Sequence, residues 1–491
     1  MALIKQSLDK DLEKFVHVEA AARETASGVV SHSLALLFLG LSALIAGLYA
    51  GVAVDSALVI FAAILGGYMA LNIGANDVAN NVGPAVGARA LTMVGALIIA
   101  AICESAGALL AGGDVVSTIS KGIIDPAQVA DSQTFIWAMM AALISSALWV
   151  NLATFVGAPV STTHAVVGGV MGAGIAAVGF GLVNWPTMGA IAASWVISPV
   201  LGGIIAAGFL AFIKLNLIYQ DDKIAAARRW VPLLVAIMAG AFACYLSLKG
   251  LKHVWRPSTP AVLGIGFGVG VLVWLVVRPL IRRQSEGLEN RNQSLRVLFR
   301  LPLICSAALL SFAHGANDVA NAIGPLAAIL HAAEFGDVAA KVTVPVWIMM
   351  IGAFGISLGL FLYGPRLIRM VGARITKMNP MRAYCVALSA AITVIVASWL
   401  GLPVSSTHIA VGAVFGVGFF REFFTKHSKR RRAMVSPREL QREPRLRPDE
   451  LRHRKLVRRA HFLTIVAAWV ITVPATALLA AAIFWGLSLL R

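Results

Sequence analysis

A block of carboxylate and amide side chains occurs twice in this sequence, each time inside an otherwise apolar stretch. It reads Gly74-Ala75-Asn76-Asp77-Val78-Ala79-Asn80-Asn81-Val82-Gly83-Pro84, and again Gly315-Ala316-Asn317-Asp318-Val319-Ala320-Asn321-Ala322-Ile323-Gly324-Pro325. Hard cations want oxygen donors from carboxylates, amide side chains and freed backbone carbonyls. Asp77 and Asp318 supply the charge and Asn76 and Asn317 stand beside them, so a Na⁺ ion is expected at the two aspartates. Glycine permits an unwound turn and proline interrupts the helical ladder, which predicts a helix break in each copy. Helix capping at a membrane boundary would explain one such block; two with matching neighbours point to a ligand site.

A second motif follows each copy. Pro159-Val160-Ser161-Thr162-Thr163-His164 recurs as Pro403-Val404-Ser405-Ser406-Thr407-His408. Proline ends one segment, and Ser161 or Ser405 is placed to cap the helix that begins at Ala165 or Ile409. A helix N-terminus with free N–H groups and hydroxyls is a ready anion site. Ser161, Thr162, Thr163, Ser405, Ser406 and Thr407, with Asn80 and Asn321, are therefore the expected ligands of a tetrahedral oxyanion.

The two motifs need each other. Phosphate carries about −1.5 charge at neutral pH, and burying it beside two aspartates demands cations. Cations on the carboxylates would attract the anion, and that mutual strengthening is what symport requires. Glu104 is an intramembrane carboxylate and a further candidate for cation or proton coupling. His164 and His408 are read as supports of the neighbouring hydroxyls. His314 has no counterpart at Ile73, which argues against a role shared by both copies.

The elements that must position these residues are membrane helices. The 491 residues are 59% hydrophobic and 13% charged, with mean hydropathy +0.82, too apolar for a soluble chain of this length. The apolar blocks are long and do not alternate, which excludes barrel strands. The fold class is an all-α integral membrane protein of about 12–13 transmembrane helices, in two inverted-topology repeats with broken or re-entrant helices. The organisation reads as a polar tail over 1–33, an additional transmembrane helix over 34–56, a first repeat over 57–230, connecting spans and a loop over 231–296, a second repeat over 297–420, a basic loop over 421–460 and a last helix over 461–491. Asp77 and Asp318 lie 241 residues apart, Pro159 and Pro403 244 apart. An odd number of spans between the copies makes them enter the membrane in opposite senses, with the site near the midplane.

The net charge of +18 is concentrated in loops of one parity, above all around Lys429, Arg430, Arg431 and Arg432. That is the pattern of cytoplasmic loops against anionic lipid rather than of nucleic-acid binding. It places a multi-pass protein in the plasma (inner) membrane with the N-terminus and the 421–460 loop in the cytoplasm. Lys249, Lys252 and Arg256 fall on the other side. The four cysteines sit in apolar blocks and imply no disulfide or metal site.

Through both repeated blocks and the stretch from Gly112 to Asp125, the chain resembles the inorganic phosphate transporter family. The resemblance implies an inverted-repeat fold, phosphate symport driven by Na⁺ or H⁺ with no organic cofactor, and a homodimer; Glu104 falls where members often carry a carboxylate. The helix over 34–56 and the basic loop are additions to that pattern. A sulfate permease of the same fold is the nearest alternative. A membrane enzyme acting on phosphorylated lipid would need a nucleophile or base with its partner, and a passive channel would suit a ring of subunits better.

Overall fold

The computed structural model describes residues 28–49, 56–124, 129, 131–158, 160–250, 257–336, 344–374, 378–428 and 459–489. The tail over 1–27, Pro159, Asp125, Lys252, Arg256 and the basic stretch 429–458 lie outside them. Twelve described helices are long and apolar enough to cross a membrane.

The chain runs through α1 (Gly28–Tyr49), α2 (Ser56–Asn76), α3 (Ala79–Gly87), α4 (Met93–Ala111), the short α5 (Gly113–Ser117) with a π turn over Thr118–Gly122, α6 (Ser132–Val156), α7 (Thr162–Val178), α8 (Trp185–Ile213), α9 (Lys223–Lys249) and α10 (Thr259–Gln284). It continues through α11 (Asn292–Leu298), α12 (Arg300–Phe335), α13 (Val346–Arg374), α14 (Pro380–Trp399), α15 (Ser406–His427) and α16 (Arg459–Ser488). Starts follow side-chain capping: Thr92, Asp131, Asn184, Asp222 and Asn379 each accept a bond from the backbone N–H three residues on. The expected spans map onto these helices, with α1 beginning six residues before Leu34 and α7, at 17 residues, the one short member. Large apolar side chains such as Phe267, Leu272 and Val196 point outward, as lipid rather than water requires.

The repeat governs the packing. A Cβ on Gly74 would meet the Ile356 carbonyl oxygen, and one on Gly315 the Glu104 carbonyl oxygen. Gly359 likewise meets Leu71 while Gly107 meets Phe312. Since Gly74 and Leu71 correspond to Gly315 and Phe312, α4 and α13 are also mates, Glu104 with Ile356 and Gly107 with Gly359. Small residues let these backbones touch where no hydrophobic force drives them together. Ser105 and Ser357 are mates in the same register, and their hydroxyls bond each other at 2.8 Å; a residue that touches its own mate marks the pseudo-two-fold axis. Six apolar helices (α4, α6, α7, α8, α9 and α10) lie between α3 and α12; with α12, which carries the second block, they make seven, the odd number expected between the copies.

One expectation holds in only one half. The first acidic block is broken, α2 ending at Asn76 and α3 starting at Ala79, whereas α12 runs unbroken through Asp318 and Pro325. The copies differ at Asn81 and Ala322 and, conservatively, at Val82 and Ile323. Alanine is the better helix former, and Asn81 is drawn across to Glu104, its Nδ2 donating to Oε1 at 2.8 Å.

Candidate functional site

Two helical hairpins, α6–α7 and α14–α15, deliver the hydroxyl motifs. Ser161 caps α7 by accepting the His164 N–H at 3.1 Å, and Ser405 caps α15 by accepting the His408 N–H at 3.3 Å. This leaves Thr162 and Ser406 at the first helical position of each half-helix, and Thr162 points at the acidic blocks. Every expected site residue is buried.

The aspartates converge. Thr162 Oγ1 donates to Asp77 Oδ2 at 2.7 Å and lies 3.5 Å from Asp318 Oδ2. Thr407, from the other hairpin, donates to Asp77 Oδ1 at 3.3 Å. Two asparagines cross between the halves: Asn80 Nδ2 donates to Thr407 Oγ1 at 2.9 Å, and Asn321 Nδ2 donates to Thr163 Oγ1 at 3.0 Å. These bonds are repeat mates of each other, so each acidic block grips the opposite half's hydroxyl motif.

The outer asparagines are tied down in a second mated pair. Asn76 Nδ2 donates to Thr154 Oγ1 at 2.9 Å, and Asn317 Nδ2 to Ser398 Oγ at 3.0 Å. Thr154 and Ser398 stand 244 residues apart, as the prolines do, a signal readable only once the contact is known. Asn317 also donates to the Leu402 carbonyl at 3.2 Å and accepts the Val404 N–H at 3.2 Å. Both ends of its amide thus hold the turn before α15, so it shapes the second hairpin, with one lone pair of its oxygen already engaged. Asn76 Oδ1 has no protein partner, nor do Asp318 Oδ1, Asn321 Oδ1 or Ser406 Oγ. Buried oxygens without partners are what a hard cation needs.

His314, set aside at the sequence level, lies inside the site. Its Nδ1 is 2.7 Å from Glu104 Oε2 and its Nε2 is 3.2 Å from Asp318 Oδ2. Asp77, His314 and Asp318 each offer one ligand atom, all within 4.8 Å of one another. Glu104 therefore reaches Asp318 through an imidazole.

Behind the hydroxyl motifs the two histidines meet on the axis, ring centroids 4.4 Å apart, with His164 stacked on Trp195 and His408 on Trp469, each at 3.7 Å. His164 Nδ1 bonds Ser161 Oγ at 2.8 Å, while neither ring nitrogen of His408 has a partner. Toward one surface, Thr118 Oγ1 donates to the Gly401 carbonyl at 2.7 Å and Lys249 pairs with Asp114. That pairing neutralises Lys249.

The chain matches the model of the phosphate transporter family over residues 73–480. It is 45% identical to a Helicobacter pylori protein named "Putative phosphate permease", covering 98% of this chain and 99% of that one. A Pyrococcus abyssi protein of the same description is 36% identical over 86% of this chain and 96% of its own. Among solved structures, "The sodium-dependent phosphate transporter" superposes with a TM-score of 0.78 at 35% identity, covering 89% of this chain and all of that chain.

Proposed function

This chain belongs to the phosphate transporter family, a transporter and not an enzyme, and from that membership and the geometry above we infer that it carries inorganic phosphate together with a cation by alternating access. The carrying observation is the double duty of two hydroxyls. Thr162 and Thr407 are the expected phosphate donors, yet their protons point at Asp77. A hydroxyl has one proton to donate and two lone pairs to offer. When a cation takes the Asp77 carboxylate, Thr162 and Thr407 can turn their lone pairs to it and their protons to phosphate. The anion site thus forms only when the cation site is filled, the differential affinity that coupling demands.

Asp77 and Asp318, with Asn76 Oδ1, would hold the cation through oxygen, a donor set suited to Na⁺; the sodium dependence in the name of the structural relative favours the same ion. Phosphate would lie against the N-termini of α7 and α15, held by hydroxyls, backbone N–H groups and the positive ends of both helix dipoles. The inverted halves would expose this site alternately to the two sides, with the 421–460 loop in the cytoplasm.

The test is uptake of labelled phosphate into proteoliposomes under imposed Na⁺ or H⁺ gradients, with sulfate as competitor. Accumulation driven by the Na⁺ gradient and unmoved by sulfate is expected. Uptake indifferent to both gradients would end the symport reading, and strong competition by sulfate would end the assignment of the anion.

A further inference from the structure

The repeat predicts that Asp77 and Asp318 should have equivalent surroundings, and they do not. Asp77 takes hydroxyls from both hairpins, Thr162 at 2.7 Å and Thr407 at 3.3 Å. By symmetry Asp318 should take Ser406 and Thr163. Instead Ser406 Oγ has no partner, and Thr163 donates to the Val404 carbonyl at 3.0 Å. The near neighbour of Asp318 is the imidazole of His314, anchored by Glu104, which is anchored in turn by Asn81. All three are buried.

Every member of this set is apolar in the other half. His314 corresponds to Ile73, Asn81 to Ala322, and Glu104, through the glycine contacts that align α4 with α13, to Ile356. One half packs Ile73 against α13 where the other holds an ionisable chain. A buried polar network is costly unless fully connected, so one present in a single half has a job that the repeat alone does not supply.

We propose that Asn81, Glu104 and His314 form a one-sided positioning device that fixes the Asp318 carboxylate on the cation, so that Asp318 is the standing ligand while Asp77 exchanges hydroxyls for cation in each cycle. His314 occupies the place of the hydroxyls that Asp77 has, and it cannot swing to phosphate because Glu104 holds its far nitrogen. The two halves then divide the work: Asp318 determines where the cation sits, and Asp77 reports its arrival to the hydroxyls. This rests on the cation-coupled reading above.

The decisive variant copies the other half: Asn81→Ala, Glu104→Ile and His314→Ile together, a set the molecule already packs around Ile73, Ala322 and Ile356. Removing one member alone would strand a buried charge; removing all three does not. The full-length variant in proteoliposomes is read as the cation concentration giving half-maximal phosphate uptake, and separately as the phosphate KM at saturating cation. Loss of the imidazole that stands 3.2 Å from the Asp318 carboxylate predicts a rise of about 10-fold or more in the first, with the second changed by less than about threefold. Glu104→Gln, which keeps one acceptor and places an amide N–H at the same reach, should restore most of the cation affinity that Glu104→Ala loses, and serves if the triple variant does not fold. Equal cation dependence in variant and wild type would overturn the proposal, as would parallel loss of cation and phosphate affinity. Wild-type uptake needing no cation would instead strike the underlying reading.

Discussion

Asp77 and Asp318 are joined through a single hydroxyl, Thr162 Oγ1, which donates to one carboxylate at 2.7 Å and lies 3.5 Å from the other. The two residues are 241 positions apart in sequence, yet one short side chain at the start of a half-helix reaches both. Any ligand that enters must renegotiate that contact.

Thr162→Val is isosteric but leaves the Asp77 carboxylate short of a donor. A hydrogen bond to a buried charged acceptor is worth about 1.5–3 kcal/mol, so phosphate uptake at subsaturating substrate should fall by about 10-fold or more. Thr162→Ser, which keeps the hydroxyl, should retain most of it. Initial rates of labelled uptake decide; a valine variant as active as the serine variant would remove Thr162 from the coupling step.

The crossed bonds from Asn80 to Thr407 and from Asn321 to Thr163 are mates and should behave alike. Double-mutant cycles of Asn80→Ala with Thr407→Val, and of Asn321→Ala with Thr163→Val, should each return a coupling of about 1 kcal/mol in apparent phosphate affinity. Cross-pairs such as Asn80 with Thr163 should be closer to additive. Strong coupling in one cycle and none in the other would show that only one half holds the anion.

Much of this arrangement is legible in the sequence because it is written twice. The aspartates, the capping serines and the hydroxyls recur with their neighbours, and helix periodicity and capping are local rules that lipid enforces strictly. What is not legible comes from packing between distant helices. His314 looks incidental beside Ile73 until α12 lies against α4 and brings Glu104 within 2.7 Å. Asn317 reads as a cation ligand beside Asp318, and nothing in its neighbours announces that its amide also holds the Leu402–Val404 turn. The unbroken α12 also defies its Gly-Pro pair, because surrounding helices hold the ladder that local propensity would release.

Close approach of α8 and α15 gives a prediction about stability. Gly412 and Gly416 of α15 face Pro199 and Gly203 of α8, and a Cβ on Gly412 would sit 2.2 Å from the Pro199 carbonyl oxygen. Overpacking a close contact costs about 1–3 kcal/mol, so Gly412→Ala should lower the melting temperature of the detergent-solubilised protein. Gly264→Ala on α10, where a Cβ meets nothing within 4 Å, should leave it unchanged. Equal melting temperatures for the two variants would mean that α8 and α15 yield to one another.

The histidines on the axis test whether symmetry of sequence means symmetry of role. His164 bonds Ser161 and stacks on Trp195; His408 stacks on Trp469 at the same 3.7 Å, but both its ring nitrogens lack partners. A buried polar atom without a partner destabilises by about 1–3 kcal/mol, and phenylalanine preserves the stack without it. His408→Phe should therefore keep cation-driven uptake within about twofold of wild type and melt no lower. His164→Phe should lose activity, because Ser161 would keep its capping bond but lose the ring that orients its hydroxyl. Loss of uptake in His408→Phe with the melting temperature intact would show instead that the imidazole acts during transport, and that the two halves use their histidines alike.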